Sequence, residues 1–313
     1  MLDLALMHHY TTTTSISLFG EDQRELWQVE VPIMARASRL LMHGLLATSA
    51  LHMAFLLKDD ASRSTYTNRA LYHHGLGLQL FNADITTLSN EDSNSHVLFT
   101  FGLLLVIWAY ASPTVPIDID NENKEQEKES LDLDTLLSSL DLVRGNKIIF
   151  ELSSETILSK PIGAFTKPAN KPIRSSPPSA TPSTLTSSTQ EALASLRENV
   201  SDFIDTTAID HLERFLHDTI STSARDMRLP LGWPALIDGP FWDRVKGHRP
   251  SALLILVHYA VLLAWFEERS WWMGGWSGRL VAAVGRVMGG DHRWRGCCEV
   301  VMSLVERVKG SER

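Results

Sequence analysis

Two uninterrupted apolar runs constrain this chain more than any other feature: residues 97–111, VLFTFGLLLVIWAYA, and residues 252–266, ALLILVHYAVLLAWF. Neither alternates polar with apolar residues, so neither reads as a half-buried strand. A segment apolar on all sides is a helix surrounded by protein or by lipid. A membrane-spanning helix needs roughly 20 apolar residues, and each run here has 15. The first stops at Ser112-Pro113, and the second carries His258 near its centre and meets Glu267 and Glu268. Both are read as central core helices, and no membrane span is expected. Met1 is followed by Leu2, Asp3 and Leu4, without the charged lead and cleavage site of a secretory signal. A soluble compartment is the expectation.

The remaining periodicity is also helical. Leu40, Leu41, Leu45, Ala47, Leu51, Ala54 and Phe55 recur at 3.6-residue spacing over 33–57, with Pro32 suited to the first turn. Residues 67–88 repeat the pattern through Leu71, Leu78, Phe81 and Ile85. Residues 131–143 form a shorter helix that Gly145 is placed to end, and 191–222 is amphipathic enough for one helix or two. Residues 278–288 and 299–309 close the series. Only 146–150 tempts a strand assignment. The fold class expected is all-α: a single helical bundle-like domain over 1–313, with 97–111 and 252–266 at its centre. At 313 residues, 44% hydrophobic and 21% charged, the chain is long and apolar enough for such a core.

Two disordered linkers are expected to interrupt it. Residues 118–134 hold eight acids and two lysines, a net −6 of the chain's −8. Such a block repels itself and stays solvated, giving an acidic linker over 114–130. Residues 160–189 hold six of the 13 prolines and end in a Ser/Thr-rich run. Proline removes backbone donors and short hydroxyl side chains compete for the backbone, so this stretch reads as a second linker.

Reactive chemistry is hard to find. The chain has no phosphate loop, no GxGxxG after a strand, no HExxH and no GxSxG. His8-His9 and His73-His74 are adjacent, so on a helix they diverge by about 100°. His211 and His217 miss the i, i+4 face, and Asp3, Asp22 and Asp84 stand alone in sequence. No metal site, cofactor or catalytic residue is assigned, and the chain is read as a non-enzyme. Cys297 and Cys298 are adjacent and cannot staple a fold or build a multi-cysteine zinc module.

The tryptophans carry more. Seven of nine lie between Trp233 and Trp294. Each buries a large flat apolar surface and keeps one N–H donor. Beside the second apolar run they form either an aromatic core wedge or an apolar cavity for a flat lipophilic ligand. In the cavity reading His258 is one of few polar groups able to orient a ligand hydroxyl; in the other it is a satisfied core histidine. The candidate lining residues, from the two apolar helices and the Trp-rich segment, are Phe101, Trp108, His258, Leu262, Trp265, Trp271, Trp272 and Trp276.

An ordered series of short motifs carries a resemblance: Leu6-Met7-His8-His9-Tyr10, Leu26-Trp27, Val31-Pro32, Leu41-Met42-His43-Gly44-Leu45-Leu46-Ala47, Ser49-Ala50-Leu51-His52, Ala109-Tyr110-Ala111-Ser112-Pro113, Leu142-Val143-Arg144-Gly145, Arg249-Pro250-Ser251-Ala252-Leu253 and Trp271-Trp272 before Gly275-Trp276. The chain resembles the regulatory region of fungal zinc-cluster transcription factors, with the sterol-uptake-control subgroup the nearest. That resemblance implies an all-α effector domain acting on transcription, located in the nucleus or in the cytoplasm before activation. It implies a sterol or other lipophilic ligand in a C-terminal apolar pocket around 252–266, Trp271, Trp272 and Trp276. Protein partners or a homodimer are expected. Such proteins read DNA through a six-cysteine zinc cluster, which two cysteines cannot make, so no direct DNA binding by this chain is expected. The alternative function is a ligand-free helical module pairing with DNA-binding relatives.

Overall fold

A computed structural model describes residues 1–86, 94–115, 131–167, 183–198, 200–221, 226–289 and 292–312. Among these residues every regular element is helical, as the periodicity requires. The chain divides into two compact units. The first comprises Met1–Glu122 and Asp141–Asn170, the second Asn123–Leu140 and Lys171–Arg313.

In the first unit α1 (Leu2–His9) runs straight into a π-helical turn, Tyr10–Thr14, and a 3-10 turn, Ser15–Ser17. The change of pitch has a local cause. The hydroxyls of Thr11, Thr12, Ser15 and Ser17 donate to carbonyls three or four residues back, competing with the backbone ladder. A second π-helical turn, Leu26–Glu30, leads into α2 (Val31–Arg36). The helix expected over 33–57 is broken at Ala37. There Ser38 turns extended and its hydroxyl caps α3 (Arg39–Leu56) by accepting from the Leu41 N–H at 3.2 Å. Asp59 caps α4 (Asp60–Ile85) in the same way, accepting from Ser62 N–H at 2.9 Å. α4 therefore starts one to two turns before the apolar pattern does. α5 (Ser95–Ala111) contains the first apolar run and packs on α3 and α4.

α6 (Leu133–Leu152) is divided between the two units. It runs straight through Gly145 and through 146–150, so neither the expected stop nor the strand occurs. The reason is packing: Asn146 is buried and stands where a Gly102 side chain would be, its Oδ1 only 2.1 Å from a Cβ built there. Ile149, buried one turn on, holds the continued helix in place. α7 (Ser154–Leu158) and a 3-10 turn, Pro161–Thr166, complete the first unit.

The second unit holds α8 (Ser183–Glu198), α9 (Phe203–Ser221), α10 (Leu229–Leu236), α11 (Gly239–Lys246), α12 (Pro250–Glu267), α13 (Trp276–Met288) and α14 (His292–Glu312). The amphipathic stretch 191–222 thus falls in two helices. α12, the second apolar run, is buried from Ala252 to Glu267 and packs against α9, α13 and α14. Its last residue ties three helices together. The Glu267 carboxylate accepts from the Ser277 N–H in the first turn of α13 and lies 3.1 Å from Lys309 Nζ on α14. A carboxylate suits a helix N-terminus, where unpaired N–H groups point outward.

Both linker boundaries need correction. Residues 116–130 and 168–182 lie outside the described residues. The flank 161–166, however, is helical, because Ile162 is buried and Phe165 sets its ring edge-on to Phe19 at 4.9 Å and to Trp27 at 6.1 Å. The other flank begins α8 at Ser183, and Thr189 is buried. Among the described residues, three helices are long and apolar enough to cross a membrane: Arg39–Leu56, Ser95–Thr114 and Pro250–Glu267. Their apolar windows are 67%, 67% and 89% buried inside the protein, so this surface is used in packing.

Candidate functional site

The eight candidate lining residues fall in different units. Phe101 and Trp108 belong to the first, and His258, Leu262, Trp265, Trp271, Trp272 and Trp276 to the second.

In the second unit the aromatic centre is a quartet. Trp233 stacks on Tyr259 with centroids 4.8 Å apart and meets Phe241 and Trp242 edge-on at 5.9 and 5.8 Å. Each polar tip of the quartet reaches a backbone carbonyl. Trp233 Nε1 donates to Ala208 O at 3.1 Å, Trp242 Nε1 to Ile237 O at 3.3 Å, and Tyr259 O–H to Pro230 O at 2.7 Å. Here the tryptophans form a core wedge with its donors satisfied. Phe241 and Tyr259 were not singled out by the sequence; for Phe241 the available signal was its place directly before Trp242 on a short amphipathic helix.

His258 bonds to its own helix: its Nδ1–H donates to Leu254 O at 2.8 Å. Burial lowers its pKa, so the ring is neutral and its orientation is fixed by α12 itself. Leu262, Trp272 and Trp276 are sealed in the interior, and Trp271 is half-buried in the turn before α13. Trp265 differs from the quartet. It is 7% exposed, and its buried Nε1–H has no acceptor among the described residues.

In the first unit Phe101 is wedged between two helices that offer glycines to it. A Cβ on Gly44 of α3 would lie 2.9 Å from the Phe101 ring, and one on Gly77 of α4 would lie 2.8 Å from it. Trp108 stacks on His74 almost in parallel, 3.9 Å apart at 8°. These two pairs, with Thr48, Leu104 and Leu105, border a half-open cleft of about 10 Å³. That is room for about one water molecule. Burial holds the His74 pKa down to about 4, so the stack joins two neutral rings.

A polar network in the same unit was not legible in the sequence. Asp3, which stands alone in the chain, receives two nitrogens of Arg69 at 2.6 to 2.8 Å and His73 Nε2 at 3.2 Å. His73 Nδ1 in turn lies 2.9 Å from His43 Nδ1. Burial pushes the Asp3 carboxyl up, but Arg69 and His73 outweigh it and hold its pKa below the usual value. Burial lowers both His43 and His73; Arg39 and Arg69 add to it at His43, while Asp3 opposes it. Farther along α3, His52 Nδ1 pairs with Thr14 Oγ1 at 3.0 Å, and its ring lies 5.2 Å from that of His9. No group of three metal-ligating side chains occurs among the described residues. The network consists of hydrogen bonds between helices, with a guanidinium where a cation ligand set would need another donor.

Residues 5–140 match the family described as the fungal specific transcription factor domain. The match covers α1–α5 and the start of α6. The chain is 28% identical over 118 residues to Sterol uptake control protein 2 of Candida albicans, covering 37% of this chain and 15% of that protein. It is 29% identical over 82 residues to Zn(2)-C6 fungal-type transcription factor afumD of Aspergillus fumigatus, covering 24% of this chain and 22% of that one. The matched segments therefore span less than a quarter of either relative. Phe101 and Trp108 fall inside the family match; the six candidate residues from His258 to Trp276 fall outside it.

Proposed function

We propose that this chain is a transcription-regulatory effector domain that works in the nucleus through contacts with other proteins. The observation that carries the reading is the match of residues 5–140 to the fungal specific transcription factor domain, over a helical unit whose interior holds no assigned catalytic group. Fusing the chain to a heterologous DNA-binding domain in a fungal reporter strain tests this. A several-fold change in reporter output over the DNA-binding domain alone is expected, and no change in either direction would refute it.

A second reading adds a ligand. The relative from C. albicans is named for sterol uptake control, and Trp265 Nε1–H is buried with no protein acceptor among the described residues. A buried donor of this kind is satisfied by a water or by a ligand oxygen. The sterol reading places a lipophile with one hydroxyl beside Trp265, near Leu262 and the Trp271–Trp276 turn. Thermal denaturation with ergosterol, cholesterol and a long-chain fatty acid is the check. A rise in Tm with a sterol, lost in Trp265→Phe, is expected; no rise with any of them leaves the ligand-free interaction module. Light scattering of the purified chain then shows whether that module pairs with itself.

A further inference from the structure

We propose that the first unit carries a proton-responsive latch, in which two histidine pairs clamp α1 and its π-helical continuation onto α3 and α4, and mild acid releases that clamp.

The first pair is His43 of α3 and His73 of α4, with Nδ1 atoms 2.9 Å apart. The Asp3 carboxylate only accepts, so His73 Nε2 carries the hydrogen that points at it. A neutral His73 then has a bare Nδ1, and the hydrogen between the rings belongs to His43 Nδ1. Asp3, on α1, thereby fixes both tautomers two helices away. The pair accommodates one added proton, on His73, if His43 moves its own hydrogen to Nε2. A second proton sets N–H against N–H across 2.9 Å, which no arrangement of the rings satisfies. The charges acting on the pair are Asp3 from α1, Arg39 from α3 and Arg69 from α4.

The second pair is His9, at the end of α1, and His52 of α3, with ring centroids 5.2 Å apart. His52 is held by the Thr14 hydroxyl of the π-helical turn. His9 Nε2 is buried with no partner among the described residues. His8 acts on His9, and His9 on His52, each disfavouring an added proton beside the effect of burial. The buried Tyr10 hydroxyl is the next titratable group along the chain, and burial keeps it neutral.

Residues 2–14 are fastened to α3 and α4 by four polar tethers: Asp3 to Arg69 and His73, Ser49 Oγ to Leu6 O at 2.7 Å, the His9–His52 ring contact, and Thr14 to His52. Three of the four pass through a histidine. Charging the rings leaves the Asp3–Arg69 pair, Ser49 and the buried side chains of Leu6 and Tyr10 to hold the segment, so the loss falls on the contacts of His9 and Thr14 with His52.

Amide hydrogen exchange of the full chain, at about pH 7.5 and about pH 5 and corrected for the intrinsic rate, reads the latch directly. Peptides covering 2–14 are expected to lose protection about tenfold in acid, while peptides covering 250–267 keep theirs. In His43→Gln and His52→Gln together, the acid response of 2–14 should shrink to a small fraction. Equal protection of 2–14 at both pH values, or an undiminished response in the double variant, would overturn the latch. Should that variant fail to fold, NMR titration of the histidine rings of the unaltered chain decides. His9, His43, His52 and His73 are expected to take up protons below the ordinary imidazole range, in step with loss of the 2–14 amide signals. Uptake within the ordinary imidazole range, or uptake with those signals unchanged, would overturn it.

Discussion

In the first unit helices are joined by side chains that can change charge: Asp3 and Arg69, His73 and His43, His52 with Thr14, His74 flat on Trp108. In the second unit the donors of the tryptophan quartet reach backbone carbonyls instead, at Ala208, Ile237 and Pro230. A carbonyl cannot titrate within the physiological range, so the tryptophan quartet keeps its bonds at any such pH. A neutral imidazole keeps its bonds only above the pH at which protonation outweighs its burial. The histidine network and the tryptophan quartet thus differ in how far conditions can reach them. The first can respond to its surroundings; the second is a scaffold whose weak points are volume and shape.

The largest way to break this contrast is to empty the quartet. Trp233→Ala removes the ring that touches Tyr259, Phe241 and Trp242, together with its bond to Ala208 O. The expected loss is about 3–5 kcal/mol, read by urea denaturation followed by circular dichroism. A loss of under about 1 kcal/mol would mean that the site collapses around the gap and that the quartet does not hold the unit together.

Acid should strike the other unit. Burial holds His52 and His74 near pKa 4, against 6.5 for an unhindered ring. The unfolded chain therefore binds more protons than the native one between those values, so stability falls as pH drops through that window and levels off below it. By about pH 5 each ring costs of the order of 2 kcal/mol. His74→Phe sharpens the point: it keeps a flat ring on Trp108, and stability measured against pH should lose part of its slope between 6.5 and 4. An unchanged slope would place the acid sensitivity elsewhere.

A smaller effect is expected where two helices touch through a missing side chain. Gly102→Ala would put a Cβ 2.1 Å from Asn146 Oδ1, so Asn146 must swing away. A loss of about 1–3 kcal/mol follows, and Asn146→Ala in the same chain should recover part of it by making room. The double-variant cycle, measured by thermal denaturation, checks the coupling. Gly145, by contrast, has open space around it. Its conversion to alanine should be neutral or slightly stabilising, because it sits within a continuous helix.

That pair of glycines shows what the sequence could and could not disclose. Helical periodicity made the all-α class and the two apolar core helices legible, because burial on every side leaves no other pattern. It misplaced the end of α6 because a glycine carries a stop signal only when nothing beyond it is buried, and Asn146 and Ile149 are. It missed the 161–166 turn because proline content concealed Ile162 and Phe165, whose burial depends on Phe19 and Trp27 far back in the chain. The tryptophan cluster was visible as composition, yet whether its donors met carbonyls was not. Asp3 was dismissed as isolated for the same reason: its partners lie 66 and 70 positions away. Neutral hydrogen-bond relays have no spacing rule, since each member comes from a different helix.

The smallest expected effect tests the exposed charges of the second unit, as distinct from its buried Glu267–Lys309 pair. Arg197 at the end of α8 reaches Asp210 and Glu213 on α9, each at 2.7 Å, but all three side chains are 42 to 52% exposed. Water screens such a pair and ordering the side chains offsets part of the attraction, so exposed bridges contribute about 0.2–1 kcal/mol. Arg197→Ala should lower stability by no more than that in dilute buffer. The difference should fade toward zero near 1 M salt, where the Debye length shrinks to about 3 Å. A loss of several kcal/mol that persists in salt would show that α8 is held to α9 by charge. The second unit would then resemble the first in what secures it.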